Sequence, residues 1–392
     1  MSSAWLLPEH IADVLPAQAR HVEALRRDLI DVARRYGCEL VIPPLMEHVE
    51  SLLSGASRAL ELKTFKLVDQ LSGRTLGVRA DSTPQVARID AHLLNRTGVV
   101  RLCYCGSVLH ALPAGMHSTR EPLQFGAEIY GHGGLEADLE VQDMLLDSLH
   151  RARLDGVVLD LGDARIVRSL LAGVMVGAEQ LVDVYEALAA KDTPALRELT
   201  RDFSSEVRSA LLALVSLYGG GEVLEAARRE LPARPLLRAA LDDLQWLSER
   251  VAQSHPEVAL GFDLADIGGN GYYSGVRFAA YRSGSPDALA RGGRYDEVGA
   301  AFGRARAAVG FSLDIKSLAA ISPPQPLAAA IRAPWAEDAA LRARVRQLRE
   351  QGETVVRVLP GHDHEAQAFE CDRELVLAQG AWTVRRVATR PA

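Results

Sequence analysis

Apolar positions near the start of the chain follow a helical period and then switch to a strand-like one. Val22, Leu25, Leu29, Val32 and Tyr36 recur at three- and four-residue intervals, which places them on one face of a helix opened by Pro16. Gly37 stands where a helix C-cap is expected. Residues 39–42 read as a short buried strand, closed by Pro43 and Pro44 because two prolines cannot remain inside a ladder. Residues 64–78 alternate as a hairpin around Ser72-Gly73. Ser82-Thr83-Pro84-Gln85 predicts a helix start, with Ser82 as N-cap and Gln85 three residues on. Two strands follow at 99–106 and 123–130, joined by a loop over 111–121; then come a long helix over 136–154 and a strand over 157–161.

From 163 to 254 the pattern is almost entirely helical, broken only at 192–194, 219–221 and 232–235. Strand character returns at 258–264 and 275–282. Residues 321–326 contain three prolines and read as a stiff linker. Beyond it the pattern gives strand, helix, strand, a Gly361-His362-Asp363-His364 loop and a hairpin of 375–377 and 383–387 around Gln379-Gly380. Strands in hairpins with one long helical insertion predict an α+β protein, an antiparallel sheet flanked by helices, not a doubly wound parallel sheet. The expected division is a main domain over 1–320, with its insertion at about 163–255, and a small α/β C-terminal domain over 327–392. No glycine-rich phosphate loop follows the first strand, which speaks against a dinucleotide or P-loop fold.

Composition narrows this only modestly. The 392 residues are 48% hydrophobic and 24% charged, enough for two or three domains with a full core. No apolar run approaches the roughly 18–20 residues of a membrane span, and residues 1–8 turn polar too soon for a signal peptide. Cysteines at 38, 103, 105 and 371 form no Cys-x-x-Cys pair and fit a reducing cytoplasm. Cys103 and Cys105 fall on one face of a strand and read as buried thiols. A net charge of −7 argues weakly against a nucleic-acid surface, and Arg342, Arg344, Arg346 and Arg349 read as a solvated helix face.

Three segments carry candidate chemistry. The first is Arg79-Ala80-Asp81-Ser82-Thr83. The second is the pair of strands from Arg101 to Gly106 and from Leu123 to Gly131. The third joins 268–275 to Gly292-Gly293-Arg294-Tyr295-Asp296. In the second, Gln124, Gly126 and Glu128 share one face, and Phe125, Ala127 and Ile129 share the other. An amide and a carboxylate separated by a residue without a side chain make a floor for a small ligand, or equally a solvated strand face. Tyr272 and Tyr273 stand among Gly261, Gly268, Gly269, Gly271 and Gly275, as an aromatic wall with hydroxyl handles.

These segments resemble the class II aminoacyl-tRNA synthetase core and, within that class, histidyl-tRNA synthetase. Leu45-Met46-Glu47, Arg79 to Thr83, Arg101 to Gly131, the Tyr-Tyr segment, Gly-Gly-Arg-Tyr-Asp and Gly310-Phe311 occur in that family's order over about residues 5–320. The resemblance implies a histidine pocket in which Asp81 (a glutamate in the synthetases), Thr83 and Gln124 meet the ammonium. It also implies that Glu128 and Tyr273 meet the imidazole and that Tyr272 lines the wall.

The departures lie elsewhere. The hairpin arginine that grips substrate carboxylate and ATP falls at His110, and the glutamate two residues later at Leu112. The histidine-specific arginine falls at Gly268, its companion aspartate at Gly271, and the last-motif arginine at Ser317. Adenylate formation builds negative charge that such cations stabilise, and losing one donor of this kind typically costs roughly 100- to 1000-fold. A histidine with an ordinary pKa of about 6.5 is mostly neutral at pH 7 and does not replace an arginine.

A histidyl-tRNA synthetase-like chain stripped in this way resembles the regulatory-subunit family of ATP phosphoribosyltransferase. That resemblance implies no catalysis of its own, no cofactor and no nucleic-acid or membrane partner. It implies assembly with a short-form catalytic subunit in a hetero-octamer, in the first step of histidine biosynthesis, and feedback by L-histidine. An active histidyl-tRNA synthetase and a tRNA-sensing adaptor are the competing readings. Gly361-His362-Asp363-His364 reads as an exposed loop before a metal site.

Overall fold

Pro16 opens helix α1 (Pro16–Arg35), which buries Val22, Leu25, Leu29 and Val32 on one side and ends in a turn at Gly37. The structure is a computed structural model, and it describes residues 6–54, 58–113, 115, 118–268, 272–283, 287–324, 328–362 and 370–387. After α1 come β1 (Glu39–Val41), β2 (Met46–His48), α2 (Val49–Leu52), α3 (Arg58–Lys63), β3 (Phe65–Val68) and β4 (Thr75–Val78). Strands β2, β4 and β3 form a small antiparallel sheet, with the expected hairpin between β3 and β4. Helix α4 (Thr83–Arg88), strands β5 (Val100–Ser107) and β6 (Leu123–Tyr130), helix α5 (Leu135–Arg151) and strand β7 (Val157–Asp163) follow.

The helical stretch is an insertion of α6 (Ala164–Leu171), α7 (Ala178–Ala189), α8 (Thr193–Leu199), α9 (Ser205–Leu214), a two-residue strand β8 (Tyr218–Gly219), α10 (Glu222–Glu230) and α11 (Pro235–Ser254). Strands β9 (Ala259–Asp263), β10 (Val276–Arg282), β11 (Ala290–Arg294) and β12 (Ala308–Asp314) and helix α12 (Ile315–Ile321) complete the first unit. The main sheet has nine strands in the order β1-β5-β6-β12-β11-β10-β7-β9-β8. Its core lies between α1, α5, α11 and one sheet face, where Cys103, Phe125, Ala127, Ile129, Phe278 and Phe311 are buried. No helix among the described residues is long and apolar enough to cross a membrane.

The contacts divide the chain into units 1–324 and 325–392. The second contains β13 (Ala330–Ala333), α13 (Ala339–Glu350), β14 (Val355–Arg357), β15 (Cys371–Ala378) and β16 (Ala381–Arg386), in the sheet order β14-β13-β15-β16. Strands β15 and β16 are the expected terminal hairpin. Asp363 and His364 lie outside the described residues, and no cluster of three potential metal ligands occurs among those described.

Three expectations need correction. The sheet is mixed: β1 runs parallel to β5 and β7 parallel to β9, with the insertion serving as the crossover of the second pair. Period-two patterning identifies strands but not their partners. Strand β1 forms but is not buried; it lies at the sheet edge, and Ile42 beside it is 81% exposed. The side chain of Ser82 does not cap α4: the second helical position is Pro84, which has no N–H to offer it, and Oδ1 of Asp81 accepts from the Thr83 amide at 3.0 Å. Gln85 turns away instead, donating to Pro44 O at 2.8 Å and to Glu47 at 2.9 Å. The cysteines are free; Cys103 is buried and Cys105 half-buried, and burial pushes both thiols up to about 11.

Candidate functional site

The second face of the main sheet is the floor of the site, and strand register decides what stands on it. Tyr104, Gly126, Ser312 and Arg291 lie side by side across β5, β6, β12 and β11. The neighbouring row reads Leu102, Glu128, Gly310, Gly293 and Arg277. Directly paired residues project to the same side, so each row presents its side chains together. A cavity of about 680 Å3 opens above this floor, within the range of pockets that enclose small organic ligands, about 300–1,000 Å3.

Asp81, Thr83, Gln124, Glu128, Tyr272 and Tyr273 all line this one cavity. Asp81 comes from the turn before α4, where Nε2 of Gln124 donates to its Oδ1 at 2.9 Å. The Ser82 amide donates to Oε1 of the same glutamine at 2.9 Å, which fixes the orientation of the amide group. Thr83 Oγ1 and Tyr104 OH stand 3.0 Å apart and both donate to Oε1 of Glu128, at 3.1 and 3.2 Å. Tyr295 donates its hydroxyl to Oε2. Glu128 is only 1% exposed. Burial pushes its carboxyl well above the ordinary range, repulsion from Asp81 adds to this, and the Thr83 and Tyr104 hydroxyls offset only part.

Gly310 makes this geometry possible, since a Cβ there would strike the Glu128 carboxylate. The wall is aromatic. Tyr272 stacks on Tyr295 with centroids 5.3 Å apart and meets Tyr273 edge-on at 5.2 Å. Arg168 of α6 donates to the Tyr273 carbonyl at 2.8 Å, which ties this wall to the helical insertion. Burial holds the phenols of Tyr104, Tyr272 and Tyr273 above their ordinary value.

The positions read as lost cationic clamps have other local uses. His110 lines the cavity but donates Nε2–H to Ala80 O at 3.0 Å, and burial lowers its pKa, so the ring is neutral. Gly268 has a φ of 64°, and a Cβ there would run into the Tyr273 ring. Ser317 donates its hydroxyl to Asp314 at 2.6 Å, in the capped first turn of α12. Leu112 is 59% exposed and does not line the cavity. Gly271 lies outside the described residues.

Two named arginines prove structural. Arg79 donates to Ser107 O at 2.8 Å and to Pro43 O at 2.9 Å. Arg294 pairs with the fully buried Asp138 and donates to Gly134 O at 3.1 Å. Tyr104, Tyr295 and Gly310 stood within the quoted motifs without an assigned role. For Tyr104 the signal was available, because it alternates with Cys103 and Cys105 onto the floor side.

Comparison with known proteins gives a consistent result. Residues 10–318 match the family described as "Histidyl-tRNA synthetase". Residues 328–385 match the one described as "ATP phosphoribosyltransferase subunit HisZ C-terminal domain". The ATP phosphoribosyltransferase regulatory subunit of Variovorax paradoxus (strain S110) is 61% identical over 384 residues, covering 98% of this chain and 99% of that protein. A solved ATP phosphoribosyltransferase regulatory subunit/histidyl-tRNA synthetase from Bacillus halodurans C is 28% identical with a TM-score of 0.79, over 91% of this chain and 94% of that one. A chain of the ATP phosphoribosyl transferase (HisG:HisZ) complex from Thermotoga maritima has a TM-score of 0.57 at 16% identity, over 75% of this chain and 97% of that one, a likeness of fold alone.

Proposed function

The chain belongs to the family of ATP phosphoribosyltransferase regulatory subunits, and from that premise we propose that it is the histidine sensor of the assembly. As a member of that family it is a non-catalytic subunit, working with a catalytic phosphoribosyltransferase in histidine biosynthesis. The proposal extends to L-histidine as its ligand, to a short-form catalytic subunit as its partner and to feedback carried between them.

One observation carries the sensor reading. Asp81 and Glu128 both face the cavity, and neither forms an ion pair with any described residue. Burying the Glu128 carboxylate without a cation is costly, and a ligand bearing an ammonium and an imidazole offsets that cost there while meeting the half-buried Asp81 with its other cationic group. The ammonium sits against Asp81, flanked by Thr83 and Gln124; the imidazole lies between Glu128 and Tyr273, with Tyr272 as the wall. The occupied cavity acts on the partner only if histidine favours one quaternary arrangement over another.

Self-association in a hetero-octamer is supported by the apolar residues left exposed around the edge strand β1, namely Leu40, Ile42, Leu45 and Met46. A second copy of this chain is the occupant proposed for that edge, and sedimentation of the isolated chain tests it. The free cysteines fit a cytoplasmic location.

Calorimetry of the isolated chain with L-histidine, with Glu128→Ala as control, tests the sensor reading. Heat from the wild type and none from the variant is expected. In a mixture with the short-form subunit, phosphoribosyltransferase activity should require this chain and fall as histidine rises. A partner fully active and histidine-sensitive alone would overturn the reading. Histidine-dependent ATP–pyrophosphate exchange would instead establish a synthetase.

A further inference from the structure

The sensor reading gives partners to the ammonium and imidazole of histidine but none to its carboxylate, and the present inference rests on that reading. A synthetase converts this carboxylate into an adenylate, whereas a feedback ligand keeps it free and charged. The two positions that would grip it by resemblance are closed. His110 is a neutral ring bonded to backbone, and Gly268 is a left-handed residue with the Tyr273 ring where a side chain would go.

The charges of the lining are unevenly placed. Asp81 and Glu128 form a pair at one end. Asp314 is already used, accepting from the Leu123 amide at 2.9 Å and from Lys316 N and Ser317 N at 3.0 and 3.2 Å. The cations on the lining are Lys63 and Arg291, and no side-chain hydrogen bond or ion pair joins either to another described residue. Lys63 belongs to the short helix α3 and lies beside His110. Arg291 belongs to the floor: it stands on β11 opposite Ser312, in the row that continues to Gly126 and Tyr104.

Arg291 is exposed, and its charge is close enough to be felt by the Tyr273 phenol. It lies two strands over and one row along from Glu128, about 12 Å between Cα atoms at ordinary strand spacing. That is a span one amino acid bridges when a glutamate and an arginine reach toward each other. Gly310 and Gly293 leave the floor between them without side chains.

We propose that Arg291 holds the free α-carboxylate of the bound histidine and makes the sensor selective for the intact amino acid over ligands that lack this group. A planar guanidinium matches a carboxylate with two parallel hydrogen bonds, which the Lys63 ammonium cannot do. The ligand class is therefore a zwitterion, cationic groups toward Asp81 and Glu128 and anionic group toward β11.

The test is calorimetry of the full chain with L-histidine and with L-histidinol, which replaces the carboxylate by a hydroxymethyl group. Wild type, Arg291→Ala, Arg291→Lys, Lys63→Ala and Glu128→Gln are compared. The wild type should prefer histidine by roughly 10- to 100-fold, as for loss of a charge-assisted pair. Arg291→Ala should bring that ratio near one by weakening histidine alone, and Arg291→Lys should recover part of it. Glu128→Gln should weaken both ligands together. A ratio preserved in Arg291→Ala, or one that collapses in Lys63→Ala instead, overturns the assignment. If the wild type binds neither ligand, the sensor reading fails and the assignment falls with it.

Discussion

Replacing Glu128 by glutamine should raise the stability of the ligand-free protein while lowering its affinity for histidine. The carboxyl is almost fully buried, and three hydroxyls, from Thr83, Tyr104 and Tyr295, reach it. In the unfolded chain it ionises near pH 4.5; in the fold, burial and Asp81 hold the proton on well above that. Between these two values the folded state binds a proton that the unfolded state has released. Each pH unit of that window therefore costs the folded state about 1.4 kcal/mol. Wild type loses this stability as pH rises through the window, and glutamine, which never ionises, does not. The amide has nearly the shape of the protonated acid and can serve the same hydroxyls, whose protons rotate to suit.

Binding runs in the opposite direction, because glutamine cannot become the anion that faces an imidazolium. A hydrogen bond to a charged group contributes about 1.5–3 kcal/mol, so histidine should bind roughly 10- to 100-fold more weakly. Thermal melts at pH 5, 6, 7 and 8 with calorimetric titration at each pH measure both effects. The melting-temperature advantage of Glu128→Gln should widen with pH. A variant that loses stability relative to wild type as pH rises, or that binds histidine unchanged, would refute the reasoning.

Other substitutions separate packing from chemistry. Gly310→Ala puts a Cβ into the Glu128 carboxylate and 2.6 Å from the Ala127 carbonyl; it should cost about 1–3 kcal/mol in denaturant titrations and abolish the calorimetric histidine signal. His110→Arg combined with Ser317→Arg should give no histidine-dependent ATP–pyrophosphate exchange above background, because the third clamp position, Gly268, has no room for a side chain. Exchange at a synthetase-like rate would show that the site is less altered than its geometry indicates. Arg294→Ala leaves the Asp138 carboxylate fully buried without its counter-ion, and chemical denaturation should show a loss of about 3–5 kcal/mol.

The parts of the site that were legible in the sequence are those with a short period. Gln124 and Glu128 share a face because strands alternate, and the break at Gly126 shows in three letters. Tyr295 was not legible as a partner of Glu128, because 167 residues separate them and only the register of β6, β12 and β11 brings them together. The capping error at Ser82 came from Pro84, which leaves no N–H at the second helical position, while Asp81 next to it takes the Thr83 amide. Strand β1 illustrates a different limit. Leu40, Val41 and Ile42 read as core because they are apolar, yet an apolar strand left at a sheet edge has the same letters.

The altered half of the site is occupied by other interactions, and this distinguishes it from a synthetase that has merely lost residues. His110 bonds to the Ala80 backbone, Ser317 joins a helix cap, and Gly268 gives its space to Tyr273. Restoring a cation at any of them means breaking a local contact. The retained half does the reverse, keeping Glu128 at a standing cost to the ligand-free fold. Ligand that binds only the folded state stabilises it by RT ln(1 + [L]/Kd), so with histidine as the proposed ligand that cost depends on its concentration. In the proposed complex histidine lies against Tyr273, whose carbonyl is held by Arg168 near the start of the helical insertion. That hydrogen bond is where a signal from the proposed histidine site is expected to leave toward another subunit. Arg168→Ala should uncouple inhibition from binding: histidine should still bind by calorimetry, while inhibition of the assembled enzyme weakens. Loss of both together would place Arg168 in the binding site instead.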